Sequence, residues 1–465
     1  MTQRRRTMKK IDSAKVKDWF KGLFVSTPDS EAKLLTVAKK DGTQTVISSI
    51  LCALLGIFIG YLILVCINAE HAGEAMKTIL SNFGFYKSPE KKLYYFGSTI
   101  VKAAPLIMCG LSVMFAYKAG LFNIGVGGQY CVGICFSLYA ALVWQLPWYA
   151  CILIAGVMGA LWGAISGIFK ALFNVNEVIA CIMTNWIGLY MTNILLSDER
   201  AMNPTLSETH KLASNAPQAL IPSGGLSELF NNNKYVTIAV IFTLVIAVVI
   251  LVVMNFTTFG YELKATGHNK FAAKYAGMKD KRNIIVTMAI AGALAGLGAA
   301  FFYLTGIEQY KTSSSVPAMG FNGIAVAFLG GLNPIGVVFA GYFVQHITLG
   351  GARIDTTYYN PQVADLMIAI IIYLCAFVLF FKQFMNKSLG KITDKLNKTK
   401  VVMSTPNGEE VETPTAQDAA QTDDTTVEEN EKTPEEEIID DVNKEIEEIT
   451  PPNVEENTHK GDETK

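Results

Sequence analysis

The chain lacks the signatures of most soluble enzymes. No stretch fits G-x-x-x-x-G-K-[ST], and its only Gly-Lys step, Gly390–Lys391, runs on into Ile392. That excludes nucleotide binding through a P-loop. There is no H-E-x-x-H and no nucleophile elbow. The eight cysteines lie inside apolar blocks and form no C-x-x-C pair, so they read as small packing residues and neither disulfides nor zinc ligands. Mid-block Asp and Glu are absent, which argues against a carrier driven by its own ion gradient.

What is present is apolar. Of 465 residues, 51% are hydrophobic. They come in blocks of about 20, the length that spans about 30 Å of hydrocarbon. The patterning predicts an all-α polytopic membrane protein. Ten candidate spans are legible: 46–67, 99–117, 122–144, 149–169, 178–196, 235–254, 284–304, 321–332, 334–349 and 364–381. Gly330, Gly331, Asn333 and Pro334 mark a break between the eighth and ninth.

The net charge of −1 sums two opposed regions. Residues 401–465 hold 21 Asp/Glu against 4 Lys and no aromatic residue, whereas residues 1–400 hold 35 Lys/Arg against 19 Asp/Glu. Such a tail buries too little apolar surface to offset the entropy of ordering, so a disordered acidic C-terminus is expected. The positive-inside rule orients the rest. Residues 1–45 carry 11 Lys/Arg and 382–400 carry six lysines, while 197–234 carry three and 306–320 and 350–363 one each. Ten spans with both termini cytoplasmic satisfy this distribution. The expected organisation is a basic cytoplasmic segment (1–45), a transmembrane domain (46–385) with a cytoplasmic loop at 255–283, and a cytoplasmic tail (386–465).

That loop contains "YELKATGHNKFAAKYAGMKDKRN" (261–283). Asn269 is positioned as an N-cap and Gly277 as a C′ residue, with one short helix, "KFAAKYA", between them. Lys270 and Lys274 share one face; Phe271, Tyr275 and Met278 share another. Small side chains at Ala272, Ala273 and Ala276 would let a cytoplasmic partner approach closely. A basic loop resting on anionic headgroups is the alternative.

Polar residues within the spans are mostly amides, among them Asn123, Gln129, Asn185, Asn193, Asn322 and Gln345. Amides donate and accept, which suits a neutral polyhydroxy or heterocyclic substrate; interhelical hydrogen bonding is the other use. "GLFNIGVGG" (120–128) and "MGFNGIAVAFLGG" (319–331) echo each other five spans apart. Two inverted five-helix halves would produce that spacing.

The motifs "AGLFNIGVGGQ" (119–129), "NEVIACIMTNWI" (176–187) and "GHNKFAAKYAGM" (267–278) together resemble the ABC-importer permeases for nucleosides and simple sugars, the ribose and branched-chain-amino-acid type, and within them the nucleoside subgroup. The likeness covers roughly residues 45–385. It implies a permease subunit in a bacterial plasma membrane, with no cofactor of its own, ATP being hydrolysed by a partner subunit. It further implies a cytoplasmic ABC ATPase, a second homologous permease and an extracellular substrate-binding lipoprotein, and no nucleic acid. Coupling to the ATPase would fall on Gly267, Asn269, Lys270, Ala272, Ala273, Lys274 and Gly277. The substrate path is expected at Asn123, Gln129, Asn185 and Asn322. A permease for ribose or another simple sugar, or an ion-coupled secondary transporter, stands as the alternative.

Overall fold

The computed structural model describes residues 41–375 apart from 361, together with 377, 380 and 383. Residues 1–40 and the expected disordered tail lie outside the described residues, as does most of the stretch beyond 375. Each of the ten apolar runs holds a helix. These are α1 (Asp41–Ile67), α3 (Pro89–Lys118), α4 (Val126–Leu142), α5 (Trp148–Phe173), α6 (Glu177–Leu196), α7 (Ala239–Phe256), α10 (Asp280–Tyr303), α11 (Ala318–Leu329), α12 (Pro334–Gly351) and α13 (Gln362–Cys375). Between them lie α2 (Ala72–Ser81), α8 (Thr258–His268) and α9 (Lys270–Tyr275). Among the described residues, α1, α3, α5, α6, α7 and α10 are long and apolar enough to cross a membrane.

The all-α expectation holds except for a small antiparallel hairpin, Met202–Asn203 with Glu208–Thr209, in the long connection after α6. Several helix starts differ from the apolar runs by a few residues, and two of the differences have a local cause. α3 begins at Pro89, ten residues before its run, because Ser88–Pro89 sets a helix start and aromatic side chains then continue the helix. Tyr95 stacks on Tyr86 and Phe96 packs on Phe83 there. α4 begins only at Val126, since residues 121–123 are not helical.

α3 and α10 form the centre. α3 is buried from Val101 to Ala116 at almost every position. α10 lies against α3, α4 and α5. Its contact with α5 is made of small residues: a Cβ on Gly163 would stand 3.0 Å from the Gly292 Cα, and one on Gly296 3.2 Å from the Gly159 Cα. In hydrocarbon there is little hydrophobic force between helices, so close backbone approach supplies the packing. α1, α5, α6 and α7 turn broad apolar faces outward, with Leu54, Leu153, Ile187 and Val248 exposed, as lipid-facing helices must.

The predicted break at 330–334 is a tight turn. Gly331 and Leu332 both take positive φ, 63° and 54°. Asn333 then caps α12, its Oδ1 accepting from the Ile335 N–H at 3.0 Å. The charges near span ends are paired: Lys102 Nζ lies 2.5 Å from Glu308 Oε1, and Lys170 Nζ 2.9 Å from Glu177 Oε2.

Candidate functional site

Two regions carry the residues singled out by the sequence. The first is the segment between α7 and α10. The chain leaves α7 at Thr257, whose Oγ1 accepts from the Gly260 N–H at 3.1 Å and starts α8. Asn269 caps α9: its Oδ1 accepts from the Ala272 N–H at 2.9 Å. The helix ends in a Schellman turn. The Gly277 N–H donates to Lys274 O and the Met278 N–H to Ala273 O, both at 3.0 Å, and Gly277 has φ +82°. The two caps thus fix a helix of six residues that could not persist alone.

The faces of α9 differ from the expected ones. Ala273 is only 4% exposed and covered by its own chain. It cannot receive a partner in this conformation. Ala272 and Ala276 are exposed, as are Lys270 and Lys274. Phe271 and Tyr275, 74% and 93% exposed, present two aromatic rings outward. Lys270 Nζ is 3.7 Å from Asp280 Oδ2, which ties the start of α9 to the start of α10. Gly267 lies on the turn that follows α3. A Cβ there would stand 2.5 Å from Gly120 N and 2.5 Å from the Ala119 carbonyl carbon, so only glycine fits. Gly120 itself has φ +75°.

That turn leads into the second region. Asn123, Gln129 and Asn185 are all buried. Asn123 and Gln129 form a reciprocal amide pair: Asn123 Nδ2 donates to Gln129 Oε1 at 2.9 Å, and Gln129 Nε2 donates to Asn123 Oδ1 at 3.1 Å. Asn123 Nδ2 also donates to Ser112 Oγ of α3 at 3.2 Å. Asn185 clamps the same loop from α6. Its Oδ1 accepts from the Gly128 N–H at 2.7 Å and its Nδ2 donates to the Ile124 carbonyl at 3.0 Å. Three of the four amides expected along a substrate path are therefore engaged by their own chain. They hold the 120–125 segment in its non-helical course into α4.

Asn322 differs. It is half-buried in the second turn of α11. The echoed Phe-Asn pairs thus occupy unlike local structure, one before α4 and one inside α11. The motifs nevertheless meet: a Cβ on Gly320 would stand 2.5 Å from the Gly127 Cα, so no side chain fits between them.

Beside this contact, α6, α11 and the irregular stretch before α11 border a cleft of about 240 Å³. Trp186 and Phe321 wall it, with Ile182, Asn185, Ser315 and Val316 completing the lining. Both rings are partly exposed. Trp186 also stacks on Tyr190, centroids 6.1 Å apart. The loop above it is pinned to α6, since Tyr310 Oη donates to Asn193 Oδ1 at 2.6 Å and Asn193 Nδ2 to Ser313 O at 2.8 Å. Burial pushes the Tyr310 phenol up, which keeps it a donor. Sequence reasoning missed this cleft. Its signal was Trp186 and Phe321, aromatic residues directly beside the amides Asn185 and Asn322.

A bundle of apolar helices with broad apolar faces turned outward defines a multi-pass membrane protein. The chain belongs to the branched-chain amino acid transport system / permease component family, whose profile matches residues 95–376. It is 37% identical over 290 residues to the guanosine ABC transporter permease protein NupP of Bacillus subtilis, 61% of this chain and 82% of that one. It is 31% identical to the nucleoside ABC transporter permease protein NupB of Lactococcus lactis, covering 72% of this chain and 91% of that one. A glucose ABC transporter permease protein of Haloferax volcanii is 28% identical over 72% of this chain and 88% of its own. No solved structure is a significant match.

Proposed function

We propose that this chain is a permease subunit of an ABC importer for nucleosides, energised by a separate ATPase. The observation that carries the reading is its likeness, along most of their length, to a guanosine permease and a nucleoside permease. The cleft walled by Trp186 and Phe321 supports it, because a flat heterocycle stacks on aromatic faces whatever its hydrogen-bonding edge. On this reading Trp186, Phe321 and Asn322 face the substrate path, and Asn123, Gln129 and Asn185 hold its wall in place.

The ATPase docks on α8 and α9, with Gly267, Asn269 and Gly277 shaping the segment and Lys270, Phe271, Ala272, Lys274 and Tyr275 offering its surface. Ala273 acts from beneath by packing. A second permease subunit and an extracellular binding lipoprotein complete the complex. All ten principal helices traverse the bilayer in two inverted halves, α1 to α6 and α7 to α13, with both termini on the ATPase side and a disordered acidic tail. A sugar is the second candidate substrate, favoured by the glucose relative.

The test is uptake into proteoliposomes holding this chain with its partner permease, ATPase and binding protein. ATP-dependent accumulation of labelled guanosine, competed by other nucleosides and not by ribose or glucose, is expected. Uptake by this chain alone on a proton or sodium gradient would overturn the reading.

A further inference from the structure

The loop from α10 to α11, residues 305–317, reaches the aromatic cleft only with Ser315 and Val316. Its earlier residues are fastened elsewhere. Gly306, at φ +71°, turns the chain out of α10. The Thr209 N–H then donates to Tyr310 O at 2.8 Å and the Thr312 N–H to Ser207 O at 3.0 Å, which joins the loop to the 202–209 hairpin. Lys311 Nζ lies 3.3 Å from Glu208 Oε2. Asn193 of α6 holds Tyr310 and Ser313. Loop, hairpin and the end of α6 are therefore one hydrogen-bonded unit.

The tie to α3 is of another kind. Among the described residues, the polar link between this loop and α3 is the Lys102–Glu308 ion pair. Lys102 interrupts the buried run of α3, between Val101 and Ala103. A charge on such a helix is costly unless it has a use. Both side chains are partly open to solvent, 28% and 49% exposed. An ion pair so exposed holds little, because water solvates both charges when it parts. Beneath the loop lie groups that solvent does not reach. Tyr310 is buried and packs on Tyr303, the last residue of α10, with centroids 6.4 Å apart. Burial first, then the neighbouring Cys131 and Cys135 of α4, push the Tyr310 phenol up. Both thiols are wholly buried. A segment sewn firmly to one side and held to the other by one weak, reversible bond is built to open.

We propose that residues 305–317 are a lid, latched to α3 by Lys102 and Glu308, whose release admits solvent and solute to the Tyr303–Tyr310 side of α4. Resting on the orientation proposed above, the lid lies on the face away from the ATPase, where substrate arrives. With the pair formed, the way in is shut. When the pair parts, the loop turns at Gly306 and moves with the hairpin and the end of α6.

The test is thiol labelling of the intact transporter with all its subunits, using N-ethylmaleimide and reading each cysteine by peptide mass spectrometry. Cys66 is exposed and reports that the reagent is active; Cys109, buried in α3, reports on general loosening. Lys102→Gln and Glu308→Gln should each raise the labelling rate of Cys131 and Cys135 at least fivefold and leave Cys109 unchanged. Lys102→Glu combined with Glu308→Lys restores the pair with its charges exchanged and should bring the rate back to within about twofold of wild type. Rates unchanged in both single variants overturn the proposal, as does a rise that the exchange fails to reverse. A rise at Cys109 as large as at Cys131 means loosened packing and overturns it too. The labelling needs no nucleoside, so guanosine uptake measured on the same preparation reports separately on the proposed transport function.

Discussion

Gly267 and Gly120 meet backbone to backbone: a Cβ on Gly120 would stand 2.7 Å from the Gly267 Cα, and one on Gly267 2.5 Å from Gly120 N. This is where the α8–α9 segment rests on the loop that Asn123, Gln129 and Asn185 hold. Gly267→Val should push the end of α8 away from that turn, at a cost of about 1–3 kcal/mol from overpacking. The ATPase should still co-purify, because the exposed side chains of α9, Phe271 and Tyr275 among them, are unchanged. Substrate-stimulated ATP hydrolysis should fall at least tenfold. Loss of the ATPase itself would show that the contact builds the docking surface and does not transmit through it.

A second expectation separates the two alanines of α9. Ala273→Glu places a carboxylate in a buried site, so folded yield should drop sharply by fluorescence-detected size exclusion. Ala272→Glu leaves the fold intact and should weaken ATPase retention. Tyr275→Ala and Phe271→Ala should do the same, each by about 1–3 kcal/mol, if these rings are the anchors of the contact. Unchanged retention in all three would place the segment on lipid and not on a protein.

The amides divide in the same way. Asn185→Leu strands the Gly128 N–H and the Ile124 carbonyl in a buried site, a loss of about 1–3 kcal/mol for each unsatisfied group. Its thermal unfolding midpoint should fall by several degrees. Asn322→Leu should leave that midpoint within experimental error and lower uptake. Equal effects of both variants on stability would mean that Asn322, too, serves the fold.

The aromatic cleft yields a prediction about KM. Trp186→Ala or Phe321→Ala removes one stacking face, worth about 1 kcal/mol beyond buried area. The apparent KM for guanosine should rise roughly fivefold to tenfold, whereas Trp186→Phe should stay close to wild type. A KM unchanged in both alanine variants would move the path elsewhere on the bundle.

Much of this was legible in the residues for physical reasons. Apolar blocks of membrane length appear directly as helices, and the cap pair Asn269 and Gly277 appears because capping depends on residue type at two fixed positions. The 330–334 turn was legible in the same way. The inward face of α9 was not. A helix of six residues with three neighbouring alanines in or beside it has no apolar stripe to say which one turns inward, and the choice of Ala273 is made by packing on the rest of the chain. The amide pairing was likewise invisible, because Asn123 reaches Gln129 only through the non-helical course of residues 121–123, where hydropathy reads a continuous span. The Trp186–Phe321 cleft joins residues 135 positions apart, and no local pattern links them.

The meeting of α5 and α10 through Gly159, Gly163, Gly292 and Gly296 sets what can move. At these four positions of the interface no side chain stands between the two backbones, so there are no rotamers to exchange there and no gap to fill. A slip of one residue along it, about 1.5 Å, would drive a neighbouring Cβ into a facing carbonyl. The two helices can only travel together, as an axle. Whatever opens and closes during a transport cycle must swing about that pair, and the outer helices must carry the stroke.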